Sequence, residues 1–155
     1  MKIAIIGKGN LGTHLYDALK PLASVQWYSR DYPNSIDADL VIVSVSDKET
    51  TEVCERIDAT LVVHTAGIVP QVDAGNAGVL YPLYSFTKGA TVDWANVPFL
   101  IETAQENNLI ILRETVTLLG AKFYLMSSAQ RTKIHAAAVI VNNFTNHLYT
   151  LAEDY

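Results

Sequence analysis

Three glycines near the start of the chain carry its clearest chemical signal. Gly7, Gly9 and Gly12 form a G-x-G-x-x-G turn directly behind the apolar run of residues 3–6. In such a turn the first glycine permits a tight bend, the second lets the backbone approach a diphosphate, and the third lets the following helix pack closely. A purely structural turn is the alternative, but the strand before it and the helical pattern after it favour phosphate binding. The predicted phosphate-binding residues are Gly7, Gly9, Asn10, Leu11 and Gly12.

The residues after the second predicted strand should decide which dinucleotide binds. Proteins that bind NAD usually place an acid there, about 20 residues past the glycines, to hold the ribose hydroxyls. This chain instead has Ser29 and Arg30 after Tyr28. A hydroxyl and a guanidinium suit the 2′-phosphate of NADP. We therefore expect NADP rather than NAD, with a solvated loop arginine as the alternative and with Asp31 as a competing acid if the turn is shifted.

Two further polar residues follow later strands, where ligands of open α/β sheets bind. Ser46 could line the cofactor ribose, or it could cap the next helix in a capping box with Glu49. His64 ends the fourth predicted strand and could act as an acid, a base or a hydrogen-bond donor. A strand-end histidine tied to the backbone is an equally good interpretation, so both stay open.

A third group of polar side chains lies in the second half of the chain. The phenols of Tyr81 and Tyr84 follow strand five and could line the same crevice, although aromatic residues there more often serve packing. His135 and Asn142 are seven residues apart and share a face of the last helix. Buried polar groups need partners, which either a substrate pocket or ordinary hydrogen bonds between helices would supply.

No metal site is expected. The histidines show no clustered ligand spacing, and a single cysteine, Cys54, excludes a thiolate zinc site or a disulfide within the chain. We interpret Cys54 as buried helix filler.

The alternation of strand and helix patterns predicts an α/β protein with a Rossmann-like, doubly wound, mostly parallel sheet, followed by one long C-terminal helix. We expect residues 1–126 to form the nucleotide-binding domain and residues 127–155 to be the first helix of a truncated helical C-terminal domain. That helix is apolar almost all round over residues 136–141, so we expect a partner subunit or further chain to cover it. The predicted strands are 2–6, 24–28, 40–45, 60–64, 79–81, 99–103 and 122–125, and the predicted helices are 11–22, 46–56, 105–119 and 127 onward.

The composition narrows the classes of partner. The 155 residues are 50% hydrophobic and 17% charged, with a net charge of −5. Acidic and basic residues are mixed and form no basic cluster, which argues against nucleic acid as a partner. No apolar run is long enough to span a bilayer, and Met1-Lys2 leads straight into the first strand without a signal peptide. We therefore expect a cytoplasmic protein that acts on a small molecule without membrane contact.

Several segments resemble a known group of proteins. The glycine turn resembles that of the NADP-binding domain shared by pyrroline-carboxylate reductases and 6-phosphogluconate dehydrogenases. More specifically, His64-Thr65-Ala66-Gly67, residues 82–86, and His135-Ala136-Ala137-Ala138 with Asn143 resemble an uncharacterised bacterial family of NADP oxidoreductases. That family joins a Rossmann-like domain to a helical C-terminal domain of unknown function. Its members commonly have His-Pro where this chain has Tyr81-Pro82, and they continue into several more helices.

The resemblance implies an NADP-dependent oxidoreductase, or its cofactor-binding part, that transfers hydride between nicotinamide and a small carbonyl, imine or hydroxyl compound. It implies proton handling or substrate orientation by His64 and His135, substrate positioning by Asn143, and a homodimer built through the C-terminal helix. Two other functions stay open. A module that senses NADP(H) without turnover would fit the missing histidine at Tyr81, whereas a methyltransferase would normally need an acid in place of Ser29-Arg30.

Overall fold

A computed structural model describes residues 1–153. In this part of the chain seven strands form one sheet in the order β2-β1-β3-β4-β5-β6-β7, with helices packed on it. The strands are β1 Lys2–Ile6, β2 Ser24–Tyr28, β3 Leu40–Val43, β4 Val62–His64, β5 Ala77–Pro82, β6 Pro98–Thr103 and β7 Lys122–Leu125. The helices are α1 Asn10–Leu19, α2 Asp47–Arg56, α3 Glu106–Leu118, α4 Ser128–Val139 and α5 Thr145–Glu153. The prediction of a Rossmann-like, mostly parallel sheet is confirmed.

The order of the strands creates the place where a ligand can bind. The chain leaves β1 to form β2 on one side and then crosses back to form β3 on the other side, and both pair parallel with β1. At such a switch point the connections after neighbouring strands diverge and leave a crevice beyond their carboxyl ends. Strands β1 to β5 run parallel, whereas β6 runs antiparallel to β5.

Both faces of the central strands are buried. In β1, Ile3 and Ile5 belong to one apolar cluster, and Ala4 and Ile6 belong to the cluster on the other face. This explains why β1 and β3 are apolar at nearly every position rather than at alternate ones. The carboxyl ends of these rigid strands provide a fixed platform for the loops that follow them.

Several element boundaries differ from the predicted ones. Helix α1 ends at Leu19 rather than at residue 22, because Pro21 has no N–H group to continue the helical hydrogen bonds. Strand β3 ends at Val43, two residues early. Strand β5 starts two residues earlier than predicted and ends one residue later, because it pairs with β6 from Gly78 to Pro82.

The long C-terminal helix is confirmed, with an interruption that the sequence did not predict. Ser127 caps α4: it and Gln130 form a capping box, each side chain bonding the backbone of the other. Helix α4 then passes into a π-helical turn at Ile140–Phe144 before α5 begins. Such turns are rare in helices and often occur at functional sites.

Candidate functional site

The three glycines of the turn differ in their surroundings. Gly7 has φ = +116°, and a Cβ there would lie 2.0 Å from the Ser44 carbonyl oxygen. A Cβ at Gly12 would lie 2.3 Å from the Gly7 carbonyl oxygen, so this glycine lets α1 approach the turn. A Cβ at Gly9 would meet no atom within 4 Å. Gly7 and Gly12 are thus fixed by packing inside the protein, while Gly9 leaves open space in front of the backbone.

Strand β2 holds the turn in place. The Gly7 N–H donates to the Tyr28 carbonyl at 3.0 Å, and the Trp27 indole N–H donates to the Gly7 carbonyl at 2.9 Å. The Lys8 ammonium lies 4.8 Å from the centroid of the same indole ring, a cation–π contact. Helix α1 begins immediately after Gly9 and has no acidic residue in its first turn. The first N–H groups of α1 therefore have no partner within the helix, and no carboxylate of the first turn of α1 competes for them.

A cleft of about 800 Å³ opens beyond the carboxyl ends of β1 to β4. It brings together most of the residues predicted to hold a cofactor. Gly12 is the exception, because it is buried beneath the turn and does not line the cleft. The predicted residues that line the cleft are Gly7, Gly9, Asn10, Leu11, Ser29, Arg30 and Ser46.

Tyr32 and Arg56 are among the cleft residues that the sequence did not predict. The Arg56 guanidinium lies 4.6 Å from the centroid of the Tyr32 ring, and both residues line the same cleft as Ser29 and the exposed Arg30. The cleft thus has two arginines as well as an aromatic ring. No pattern along the chain signals the contact, since Tyr32 lies in the loop after β2 and Arg56 at the end of α2.

Ser46 is at the predicted helix start, but the predicted capping box does not form. Its side chain makes no bond to the helix backbone and instead donates to the Glu49 carboxylate. Acidic side chains also line this wall of the cleft, at Asp47, Glu49 and Glu52. They balance the positive charges of Lys8, Arg30 and Arg56, so recognition of an anion here depends on local groups rather than on the net charge of the cleft.

His64 is fully buried and does not line the cleft. Its Nε2–H donates to the Pro70 carbonyl at 3.1 Å, and its Nδ1 accepts from the Ala66 N–H at 3.2 Å. Burial lowers the pKa of this imidazole to about 4, so the ring is neutral near pH 7. Both ring nitrogens are engaged with the backbone of the loop. Of the two roles that the sequence left open, this geometry matches the histidine tied to backbone.

A buried ion pair joins this loop to the last helix. Arg131 has no exposed surface, and its guanidinium donates to the Glu102 carboxylate and to the Val69 carbonyl. The same carboxylate accepts from the Ser128 N–H and the Ser128 hydroxyl, each at 2.7 Å. Strand β6, the loop after β4 and the start of α4 therefore meet at one point. Sequence reasoning missed this cluster, because Glu102 and Arg131 are 29 residues apart.

His135 lies on α4 against the same loop. A Cβ at Gly67 would be only 2.3 Å from His135 Nδ1, so the imidazole packs directly on the Gly67 backbone. The Tyr81 hydroxyl lies 2.8 Å from His135 Nδ1. Asn142 donates to the Ser85 hydroxyl at 3.0 Å. The side chain of Asn143, the third predicted catalytic residue, lies outside the described part of the structure.

Cys54 is buried, and burial raises the pKa of its thiol to about 12. A thiol of this kind is unreactive near pH 7, in keeping with its interpretation as filler. Within residues 1–153 no group of three histidine, cysteine or carboxylate side chains could hold a metal ion. No helix in the same range combines the length and apolarity needed to cross a membrane.

The chain is similar to proteins of known structure and to one family of unknown function. Residues 97–155 match a domain of unknown function, DUF2520. A crystal structure of a putative NADP oxidoreductase from Bacteroides fragilis is 34% identical, with a TM-score of 0.83, over 97% of this chain and 70% of that chain. No curated protein matched the chain.

Two more distant structures share the fold alone. Prephenate dehydrogenase from A. aeolicus, solved with hydroxyphenyl propionate and NAD+, has a TM-score of 0.68 at 11% identity, over 98% of this chain and 67% of that chain. Pyrroline carboxylate reductase from Plasmodium falciparum, solved with NADP bound, has a TM-score of 0.61 at 10% identity, over 99% of this chain and 67% of that chain.

Proposed function

We propose that this chain, which belongs to the same Rossmann-like family as the Bacteroides fragilis protein, is an NADP-dependent oxidoreductase or the cofactor-binding part of one. One distant protein of this fold was solved with NADP and another with NAD+. The fold alone therefore does not determine which of the two cofactors binds. The proposal depends on one observation about this chain. Ser29 and Arg30 stand on the wall of the glycine-turn cleft where NAD-binding proteins usually place an acid.

The residues present fit this cofactor. The empty space in front of Gly9 can take a diphosphate, and the free N–H groups at the start of α1 can bind it. The Ser29 hydroxyl and the Arg30 guanidinium can take a 2′-phosphate, because arginine forms paired, charge-assisted bonds to phosphate oxygens. Arg56 and the Tyr32 ring offer a flat surface for an adenine base. A bound NADP(H) would supply hydride chemistry, and the chain would supply binding and orientation.

Replacing Arg30 by Ala tests the choice of cofactor. The variant should bind NADPH at least about tenfold more weakly, since one charge-assisted contact contributes about 1.5–3 kcal/mol. Its affinity for NADH should change little, because NADH has no 2′-phosphate. Isothermal titration with both cofactors measures the difference, and Arg113→Ala is a matched control on α3, outside the cleft. Equal losses for NADPH and NADH would contradict the assignment of the 2′-phosphate to this residue.

The proposal includes a homodimer formed through the C-terminal helix. Large apolar side chains along the described part of this helix are exposed, which a partner subunit would cover. Light scattering should therefore give the mass of two chains, and the mass of one chain at micromolar concentration would count against the dimer. The exposed residues are Val139, Ile140, Val141, Phe144, Leu148, Tyr149 and Leu151.

A further inference from the structure

A tyrosine and a histidine form a polar pair next to the nucleotide cleft. The Tyr81 hydroxyl and His135 Nδ1 are 2.8 Å apart, a hydrogen-bond distance, and their rings meet edge to face with centroids 5.7 Å apart. Burial raises the pKa of the Tyr81 phenol, so the phenol keeps its proton near pH 7. The pair joins the end of β5 to α4, and the imidazole packs against the Gly67 backbone.

This pair opens into a pocket of about 400 Å³ that is separate from the nucleotide cleft. The π-helical turn forms one wall and places Asn142 within 3.0 Å of the Ser85 hydroxyl. The pocket therefore offers phenol, hydroxyl, amide and imidazole groups beside small apolar side chains. The described residues that line it are Tyr81, Leu83, Tyr84, Ser85, His135, Ala138, Val139 and Asn142.

The charge of the pocket limits what it can bind. Among the described residues that line it there is no lysine, arginine, aspartate or glutamate. The nearby charges of Arg131 and Glu102 are paired with each other, and both lie outside this lining. The Asp47 carboxylate, which also acts on the Tyr81 phenol, lines the nucleotide cleft and not this pocket. A substrate carboxylate or phosphate buried here would lack the paired cation that such a group needs. The pocket suits a neutral molecule that accepts hydrogen bonds.

The pocket and the cleft are adjacent along the chain. Thr65 and Ala66 line the cleft at the end of β4. The next residue is Gly67, and the His135 ring packs against its backbone. A group bound at the Ala66 end of the cleft would therefore lie close to the Tyr81–His135 pair, since neighbouring Cα atoms are about 3.8 Å apart.

We propose that Tyr81 is a catalytic proton donor, that His135 relays protons to it, and that their pocket takes a small uncharged aldehyde or ketone. This inference rests on the proposed NADP-dependent function and narrows its substrate from the wider set of carbonyl, imine and hydroxyl compounds. The Tyr81 phenol can act as the donor because it keeps its proton near pH 7.

In the reduction, the proton that the carbonyl oxygen gains comes from water through His135 and Tyr81. The reductant, NADPH, would supply the hydride that forms the new C–H bond at the carbonyl carbon. As the C=O π bond breaks, the Tyr81 O–H gives its proton to the carbonyl oxygen, which yields an alcohol. His135 then returns a proton to the phenolate from Nδ1 and takes one from water at Nε2. The phenol is thereby restored, and His135 is left with its proton on Nε2 instead of Nδ1. Exchange of these protons with water returns the ring to its starting tautomer, and oxidation of the alcohol follows the reverse path.

The variant Tyr81→Phe tests the pair, because it removes the hydroxyl and keeps the ring. With NADPH and a panel of small uncharged aldehydes and ketones, it should lower kcat by about 10²–10⁴-fold, the usual contribution of a general acid. Its affinity for NADPH by titration should match that of the unmodified chain, since Tyr81 does not line the cleft. Tyr124→Phe, on the exposed face of β7, is the matched control and should leave kcat unchanged.

A second readout needs no turnover. In the chain labelled with ¹⁵N-histidine, Tyr81→Phe should shift the Nδ1 signal of His135 and leave the signals of the exposed His147 unchanged. Unchanged His135 signals, or a kcat equal to that of the unmodified chain, would overturn the proposed proton transfer by Tyr81 and His135. Reduction of keto acids but of no uncharged carbonyl, or reduction of neither while NADPH binds, would overturn the substrate class. Failure of NADPH to bind at all would instead overturn the proposed function.

Discussion

Replacing Gly9 by Val should weaken the binding of NADPH by at least about 100-fold, or about 2.7 kcal/mol, without unfolding the protein. Gly9 has φ = −73°, which any residue adopts, and a Cβ there meets no atom within 4 Å. The branched side chain would fill the space that the diphosphate needs. The change should lower the free energy of unfolding by only about 1 kcal/mol, the cost of valine at a helix N-cap. Titration calorimetry and thermal unfolding measure the two quantities.

Two other glycines provide matched comparisons. Gly75 also leaves its Cβ position open, but it lies in an exposed loop away from the cleft, so Gly75→Val should bind NADPH normally. Gly12→Ala should instead affect mainly the stability of the protein. Its Cβ would press on the Gly7 carbonyl oxygen, which should lower the free energy of unfolding by about 1–3 kcal/mol. Normal NADPH binding by Gly9→Val would show that no diphosphate lies against this backbone.

Replacing Arg131 by Met should lower the free energy of unfolding by about 3 kcal/mol. Methionine keeps much of the buried stem but leaves the Val69 carbonyl without its donor and the Glu102 carboxylate without its cation. The carboxylate retains its bonds from Ser128, so the loss should fall at the lower end of the range for broken buried pairs. Urea unfolding followed by circular dichroism measures it.

The effect should be specific to the buried pair. Lys133→Met changes an exposed residue on the same helix and should alter stability by less than about 0.5 kcal/mol. Adding Glu102→Gln to Arg131→Met should recover part of the loss, because the unpaired charge is then gone. A loss below 1 kcal/mol for Arg131→Met would mean that the pair does not hold the loop after β4 against α4.

The sequence could predict the parts of the site that depend on short-range spacing. The glycine turn is six consecutive residues, and the position of Arg30 relative to it follows from one strand–helix–strand unit. Once β1 and β2 pair in parallel, their carboxyl ends must meet, so the cleft brings together residues about 20 positions apart. The same logic placed Ser46 at the cleft, although its capping bond was predicted wrongly.

Contacts between distant segments could not be predicted in this way. The ion pair of Glu102 and Arg131 and the stacking of Arg56 on Tyr32 depend on how loops pack, which no periodic pattern encodes. His64 shows the same limit at a single residue. Its position at a strand end fits catalysis as well as structure, and only the two backbone contacts of its ring distinguish them.

An NMR titration of the ¹⁵N-labelled chain with NADPH tests directly whether the glycine turn holds the diphosphate and Arg30 the 2′-phosphate. We expect the largest amide shifts on Gly9, Asn10 and Leu11 and on Ser29 and Arg30, and we expect NADH to reproduce the first group but not the second. Shifts centred on the apolar groove between Leu22 and Ile110, which lies apart from the cleft, or no shifts at saturating NADPH, would contradict it.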